Sequence, residues 1–247
     1  MIVDDAITRT ELGGRWAYRA GLEHAAALRF DRLAAELAAT GFAPDLIAIA
    51  RDAAAQERHH VTLCRDLAAR FDATLAPPPA TIPAIAPRAW AARDRVVYEV
   101  IASCCIAETA NAAMVTAGHA DTSDDACRRA VHTILADEIQ HSRLGWRFLA
   151  THPLEDRLAA DLTAYLPVML RATARDELFR PQPEIGDVPT LRRFGTLPIV
   201  DRQAVFLAAM RDVVLPGLAA AGLDIRAGAE VLDRLEAAAR APAAIAA

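Results

Sequence analysis

The sequence is poor in aromatic residues and in glycine, with 5% aromatics and 11 glycines among its 247 residues. Alternating β-branched residues, which are typical of half-buried strands, are also scarce. Alanine and leucine dominate instead, and they are among the strongest helix formers. The composition therefore disfavours a β-rich fold and predicts an all-α protein.

Other absences exclude several classes of function. The net charge of −5 comes with interspersed signs and no basic stripe, which disfavours nucleic acid as a partner. The first residues lack the basic start and apolar core of a signal peptide, and we see no uninterrupted apolar run of membrane-spanning length. The four cysteines form no Cys-x-x-Cys pair, so we expect reduced thiols and no zinc ribbon or rubredoxin-like module. These features predict a soluble cytoplasmic protein that does not contact a membrane.

Hydrophobic periodicity and turn residues predict four long helices, over 14–40, 44–71, 88–118 and 123–151. The links within the first pair and within the second pair are short, which is typical of antiparallel neighbours. The Pro-rich connector 72–87 is extended and long enough to cross a whole bundle, so helices 2 and 3 should be parallel. Two hairpins joined by one long crossover form the topology of a ferritin-like four-helix bundle. We assign this bundle to 14–151, and 152–247 to a C-terminal helical extension packed on it.

Two short motifs carry the chemical signal of the sequence. Each is a Glu-x-x-His, and each follows a helix that offers another glutamate on its inner face. A helix turns once in 3.6 residues, so a Glu and a His three apart point the same way. Counted from the two predicted turns, all six residues lie at similar depth in the bundle. In chain order the set is Glu23, Glu57, His60, Glu108, Glu138 and His141.

Four carboxylates and two imidazoles at one point are the ligands of a dinuclear metal site in a helical bundle. Such oxygen and nitrogen donors suit iron or manganese better than they suit structural zinc. We expect Glu57 and Glu138 to bridge the metals, Glu23 and Glu108 to be terminal, and His60 and His141 to give one nitrogen to each metal. Taken singly, any of these residues is more simply a solvated acid or a satisfied core histidine, and only the ordered set favours a metal site.

Neighbouring residues carry weaker predictions. Asp137 could accept a hydrogen bond from His60, and Gln56 could do the same for His141. Asn111 could orient Glu108, although a surface amide is an equally good interpretation. Four further residues are candidates for the lining of a pocket. They are Cys64 and Cys104, which are otherwise simply small hydrophobic residues, and Tyr165 and Phe179 in the C-terminal third.

The motifs resemble those of the ferritin-like superfamily of di-iron carboxylate proteins, over about 14–151. The strings Gly-Leu-Glu-His-Ala and Asp-Glu-Ile-Gln-His-Ser-Arg-Leu-Gly-Trp-Arg are similar to bacterial ferritin-like domain proteins. Asp137-Glu138 followed by His141 also resembles bacterial multicomponent monooxygenases. Two departures separate the chain from narrower groups. Ile134 stands where arylamine N-oxygenases of this fold add a histidine, and the Cys-rich module of rubrerythrins is absent.

The resemblance implies a non-haem oxidase or oxygenase with two iron ions, or a Mn/Fe pair, that activates O2 and acts on a small organic molecule. It also implies an external electron donor. The C-terminal third, which a simple iron-storage subunit does not need, favours this activity and could shape a substrate pocket. The alternatives are a ferroxidase that handles iron and a non-catalytic ferritin-like binding module. Alanine-rich helix faces suggest a homodimer.

Overall fold

The chain is built from helices throughout the part that the structure, a computed structural model, describes. That part comprises residues 3, 5–180 and 182–240, without the side chains of 175–177. It contains no strand, which confirms the all-α prediction. The helices are α1 (Ala6–Ala39), α2 (Pro44–Arg70), α3 (Ala92–Asp121), α4 (Asp125–Thr151), α5 (Asp156–Phe179), α6 (Val188–Arg193), α7 (Ile199–Ala220) and α8 (Arg226–Arg240).

Local sequence sets the helix ends. The carboxylate of Asp5 accepts the backbone N–H groups of Ile7 and Thr8, so α1 begins at Ala6 and not near residue 14 as predicted. Gly41 has φ +72°, a left-handed conformation that suits a chain leaving α1. Pro44 opens α2, where its missing N–H costs no helical hydrogen bond. The described backbone of the connector between α2 and α3 is not helical, as its prolines predict.

Helix α3 contains a π-helical segment, Ile101–Ala107, that ends directly before Glu108. Helix α4 approaches this segment closely at Gly145. A Cβ atom there would lie 2.7 Å from Cys105 Sγ and 2.8 Å from Cys104 Cβ, so a side chain would not fit. The wide π turn and Gly145 together determine how α3 meets α4 beside Glu108.

Cross-helix contacts give the helix directions. Arg9 at the start of α1 pairs with Asp72 just beyond the end of α2, so α1 and α2 are antiparallel. The Trp146 indole donates to Thr109 at 3.1 Å, and the His119 and His132 rings pack together, so α3 and α4 are also antiparallel.

Helix α4 is antiparallel to α2 as well. Arg70 at the end of α2 pairs with Asp124 at the start of α4, and Asp45 at the start of α2 pairs with Arg147 near the end of α4. Since α2 and α3 both oppose α4, they run in the same direction. The connector between them therefore passes along the length of the helices.

The C-terminal helices pack on α3. One hydrophobic core joins buried residues of α1–α4 to buried residues of α5, α7 and α8, among them Phe148, Leu162, Met210 and Leu232. The four cysteines are buried and free. Residues from both parts of the chain thus share one apolar interior.

Two helices are long and apolar enough to cross a membrane by length and composition, contrary to our reading of the sequence: Ala92–Asp121 and Ile199–Ala220. The core helices of soluble proteins pass the same test, and both of these helices contribute to the core. The first also carries the buried carboxyl groups of Glu99 and Glu108. The structure is thus compatible with a soluble protein.

Candidate metal centre

Four helices bring the six glutamate and histidine residues of the sequence motifs together. Helix α1 supplies Glu23, and α3 supplies Glu108 directly after its π segment. Helices α2 and α4 each supply a Glu-x-x-His, with both members on the inner face. All six side chains are at most 4% exposed: Glu23, Glu57, His60, Glu108, Glu138 and His141.

The six residues form two sets of four that share Glu57 and Glu138. One set adds Glu23 and His60, and the other adds Glu108 and His141; within each set the ligand atoms lie within 4.8 Å of one another. The geometry has the pseudo-twofold symmetry of the two sequence motifs. Glu57 and Glu138, which we expect to bridge a metal pair, are thus the two residues common to both sets.

The Nδ1 atoms of both histidines face this cluster. His60 Nδ1 lies 3.4 Å from Glu57 and 3.7 Å from Glu138, and His141 Nδ1 lies 3.1 Å from Glu57 and 3.5 Å from Glu138. None of these contacts has hydrogen-bond geometry. Both oxygens of Glu57, both oxygens of Glu138 and both Nδ1 atoms are buried without a hydrogen-bond partner.

Six unpartnered polar atoms around one buried point are costly unless a further group binds them. They are carboxylate oxygens and imidazole nitrogens, which are ligands for divalent metal ions. The residues present therefore fit a metal pair, and two divalent ions would balance the four carboxylates.

A hydrogen-bond network outside the cluster orients the two imidazoles. The His60 Nε2–H donates to Asp137 Oδ2 at 3.0 Å, and the His141 Nε2–H donates to Gln56 Oε1 at 3.0 Å. The Gln56 amide also donates to Asp137 Oδ1 at 3.0 Å, which links the two histidine partners. With both Nε2 atoms engaged, each Nδ1 is directed at the cluster.

The two terminal glutamates have different surroundings. The Arg19 guanidinium lies 2.8 Å from the Glu23 carboxylate, one helical turn away, and also donates to Asn111 Oδ1 at 3.2 Å. Asn111 thus contacts Arg19, and the described residues show no hydrogen bond between Asn111 and Glu108. The described contacts thus place Asn111 beside Arg19 and give no support to our prediction that it orients Glu108.

Burial and charge shift the pKa values of these groups in opposite directions. Burial raises the pKa of Glu57 to about 7, and it also raises the pKa values of Glu138 and Glu108. Burial likewise opposes the charged form of Glu23, but Arg19 and His60 outweigh it and lower its pKa to about 2.

The two imidazoles respond to the carboxylates around them. Burial disfavours their charged forms, but the carboxylates outweigh this and raise the pKa of His60 to about 10 and of His141 to about 11. Without metal, the cluster therefore retains protons that a metal pair would displace.

A cavity of about 860 Å³ reaches the centre between α1, α3 and the C-terminal helices. Glu23 and Glu108 contribute to its wall, and apolar residues such as Leu22, Met169 and Phe206 line much of the rest. The C-terminal third thus forms one side of a pocket beside the glutamates.

The pocket-lining residues that we predicted lie elsewhere. Cys64 and Cys104 are fully buried in the apolar core and are not part of the cavity wall. Tyr165 packs edge-on against Trp90 and Tyr98, and Phe179 packs against Phe206. Tyr98 and Phe206 are themselves part of the cavity wall, whereas Tyr165 and Phe179 are not.

Sequence reasoning also missed residues that contact the centre or its cavity. Arg19 stands four residues before Glu23, a helical ion-pair spacing that the sequence displays. The arginines and the serine that line the cavity give no such signal, because the cavity depends on how the C-terminal helices pack. Comparison of the chain with protein-family models, with curated proteins and with solved structures finds no match, and so none identifies the ferritin-like superfamily that the motifs resemble.

Proposed function

We propose that this protein binds two divalent metal ions in a ferritin-like four-helix bundle. The observation that carries the proposal is the group of six buried, unpartnered ligand atoms on Glu57, His60, Glu138 and His141. Each metal would take one histidine and one terminal glutamate, with Glu57 and Glu138 shared. The helix directions support the bundle, since two antiparallel hairpins joined by a connector between parallel helices form the ferritin-like topology.

We further propose that the metals are iron, or manganese and iron, and that the protein is an O2-activating oxidase or oxygenase. Carboxylate and imidazole donors without a thiolate favour these metals over structural zinc. When bound, the metal pair would supply the reduction of O2, with reducing equivalents from an external donor. The chain itself buries the six ligand side chains and holds both imidazoles in position through Asp137 and Gln56.

The cavity favours an enzyme that acts on an organic substrate over a protein that stores iron. Its volume of about 860 Å³ lies within the usual range for small-molecule sites, and its wall includes Glu23 and Glu108. Iron handling requires a path for hydrated cations, whereas apolar side chains border much of this space. An apolar molecule in the cavity would lie directly beside the metal pair.

The test begins with metal content. Elemental analysis after anaerobic loading with Fe(II) should give about two metals per chain, and Glu138→Gln should lose most of this metal. Glu99→Gln is the matched control, because Glu99 is an equally buried glutamate of α3 that lies outside the cluster and has its own partners.

Exposure of the loaded protein to O2 then distinguishes the alternatives. A di-metal oxidase should consume O2 and develop a transient visible absorption band. Continued uptake of added Fe(II) into a large particle would instead support a ferroxidase. Failure of the wild-type chain to bind metal, with an intact fold, would contradict both and leave a non-catalytic helical module.

A further inference from the structure

The cavity follows the groove between α1 and α3. Arg32 pairs with Glu99, and Arg19 donates to Asn111, so α1 and α3 are antiparallel. Residues that face each other across the groove therefore have numbers that add up to about 131. Along the groove Arg29 therefore lies level with Ser103, Glu23 with Glu108, and Trp16 with Val115, all of which line the cavity. From Trp16 to Arg29 is 13 residues, or roughly 20 Å of helix.

Arg29 differs from the other arginines that line the cavity. Arg15 pairs with Glu11 and Glu184, Arg19 pairs with Glu23, and Arg202 also has an interaction partner. Arg29 Nε is buried without a hydrogen-bond partner, and no ion pair of Arg29 is found among the residues whose side chains the structure describes, which leave out those of 175–177. A cation in an apolar wall without a counter-ion is a site for an anion.

A second unpartnered donor lies at the same end of the cavity. The Ser103 hydroxyl, on a residue that is 1% exposed, has no hydrogen-bond partner although a helical serine can bond the carbonyl of the preceding turn. Ser103 lies within the π segment before Glu108. Arg29 and Ser103 both line the cavity and lie level with each other in the pairing of α1 with α3.

The rest of the cavity does not suit a negative group. Glu23 and Glu108 occupy its middle, and apolar side chains such as Leu22, Ile134 and Val168 surround them. At the far end the Trp16 indole N–H is buried without an acceptor, but it is neutral. Arg29 is thus the arginine of the cavity wall for which the described residues show no partner, so an anionic group is best stabilised at its end, and much of the remaining wall is apolar.

We propose that the cavity binds an elongated, mainly apolar molecule with a single carboxylate head group, which Arg29 and Ser103 hold. The carbon chain would extend from this head group past Glu23 and Glu108, so the inference deepens the proposed function by naming the substrate class. One guanidinium and one hydroxyl match a monoanion and would leave the second charge of a phosphate monoester without a partner. The head group would lie six residues, or roughly 9 Å, along α1 from Glu23.

Calorimetric titration of the full-length chain with decanoate, 1-decanol and decyl phosphate tests this assignment. The titrations are made on metal-free and on metal-loaded protein, so that they report on ligand binding even if no metal binds. We expect one decanoate per chain, and an affinity for decanol and decyl phosphate about tenfold weaker or more, the scale of a charge-assisted hydrogen bond.

Variants then assign the head group. Arg29→Met should weaken decanoate about tenfold or more and leave decanol unchanged, and Ser103→Ala should have a smaller effect in the same direction. Arg9→Met is the control, because Arg9 lies on the same helix outside the cavity and its loss changes the net charge equally. Circular dichroism checks that each variant is folded.

Each outcome decides the assignment. Equal affinity for decanoate and decanol, an unchanged decanoate affinity in Arg29→Met, or preference for decyl phosphate would overturn it. Absence of binding by all three probes would also overturn it. Arg29-dependent decanoate binding by a chain that binds no metal would support the assignment and contradict only the proposed metal chemistry.

Discussion

Two kinds of buried glutamate occur in the four long helices. Glu99, on α3, is 2% exposed and fully partnered: one oxygen accepts the N–H groups of Ile85 at 2.7 Å and Ala86 at 3.2 Å, and the other pairs with Arg32 at 3.0 Å. Glu57 and Glu138 are 0% exposed, and none of their four oxygens has a hydrogen-bond partner.

The difference shows which carboxylates serve the fold and which require a further group. Around Glu99 the chain itself supplies two amides and a guanidinium, and these tie the Pro-rich connector to α1 and α3. Around Glu57 and Glu138 the described residues supply the imidazole nitrogens and the other carboxylates of the cluster. A buried acid whose neighbours are all metal ligands needs either bound protons or an external cation to balance its charge.

The largest expected effect is on folding without metal. Glu99→Ala should lower the free energy of unfolding by about 3–5 kcal/mol, because it leaves Arg32 and two backbone amides without an acceptor. Glu138→Ala should change it by less than about 1 kcal/mol, since the lost packing is offset by removal of an unpartnered buried carboxyl. Urea unfolding of metal-free protein measures both, and equal losses would show that Glu138 has partners within the protein.

The next effect is the stabilisation that metal adds. At a free metal concentration of about 100 times Kd, Mn(II) should raise the free energy of unfolding of the wild-type chain by about 2.7 kcal/mol for each metal ion that binds. Mn(II) should raise the free energy of unfolding of Glu99→Ala by the same amount, although this variant is less stable without metal. It should raise that of Glu138→Ala only a little. Urea unfolding with and without Mn(II) checks the increments; an equal gain in all three chains would place the metal elsewhere.

Much of the candidate metal centre could be predicted from the sequence. The helical repeat of 3.6 residues is enough to place the Glu-x-x-His motifs and the two preceding glutamates on inner helix faces. The structure brings all six residues together. The sequence also predicts Asp137 and Gln56 as partners of the histidines, because each stands one residue before a motif glutamate. The structure shows both hydrogen bonds.

The other features of the site depend on how the helices pack, which the spacing of residues along the sequence does not specify. The π segment before Glu108 needs an i+5 register that no residue in it specifies, and the close approach at Gly145 is visible only with α4 in place. Tyr165 is drawn into contact with Trp90 and Tyr98, which are distant in sequence. No sequence pattern distinguishes Arg29, because its lack of a partner depends on which side chains the fold places around it.

A smaller effect should follow from the hydrogen bonds that orient the histidines. Asp137→Asn should weaken metal affinity about 10- to 100-fold, because the amide no longer fixes the His60 imidazole with a charged acceptor. Asp31→Asn is the control, since Asp31 is an acid paired with Arg58 on the exposed surface. Competition with a metal chelator measures both affinities. Equal affinities in the two variants would contradict a role for Asp137 in holding the ligand.

The smallest effect is a pH trend that should reverse on metal binding. The folded-state pKa of Glu57 is raised from 4.5 to about 7, and that of His60 from 6.5 to about 10. The metal-free native state therefore binds more protons than the unfolded chain between about pH 5 and 8, and its stability should fall as pH rises through this window. Scanning calorimetry should therefore show a Tm that decreases as pH rises.

With metal bound, the same groups must release their protons, so the stability of the loaded protein should rise from about pH 5 to 8. The metal-free Glu99→Ala chain should keep the downward trend of the wild type, because the cluster is intact in it. Metal-free Glu57→Gln should show a shallower trend, since one of the proton-binding groups is gone. A parallel pH dependence of metal-free and metal-loaded protein would mean that metal and protons do not compete for the same atoms, and the unpartnered oxygens of Glu57 and Glu138 would then need another explanation.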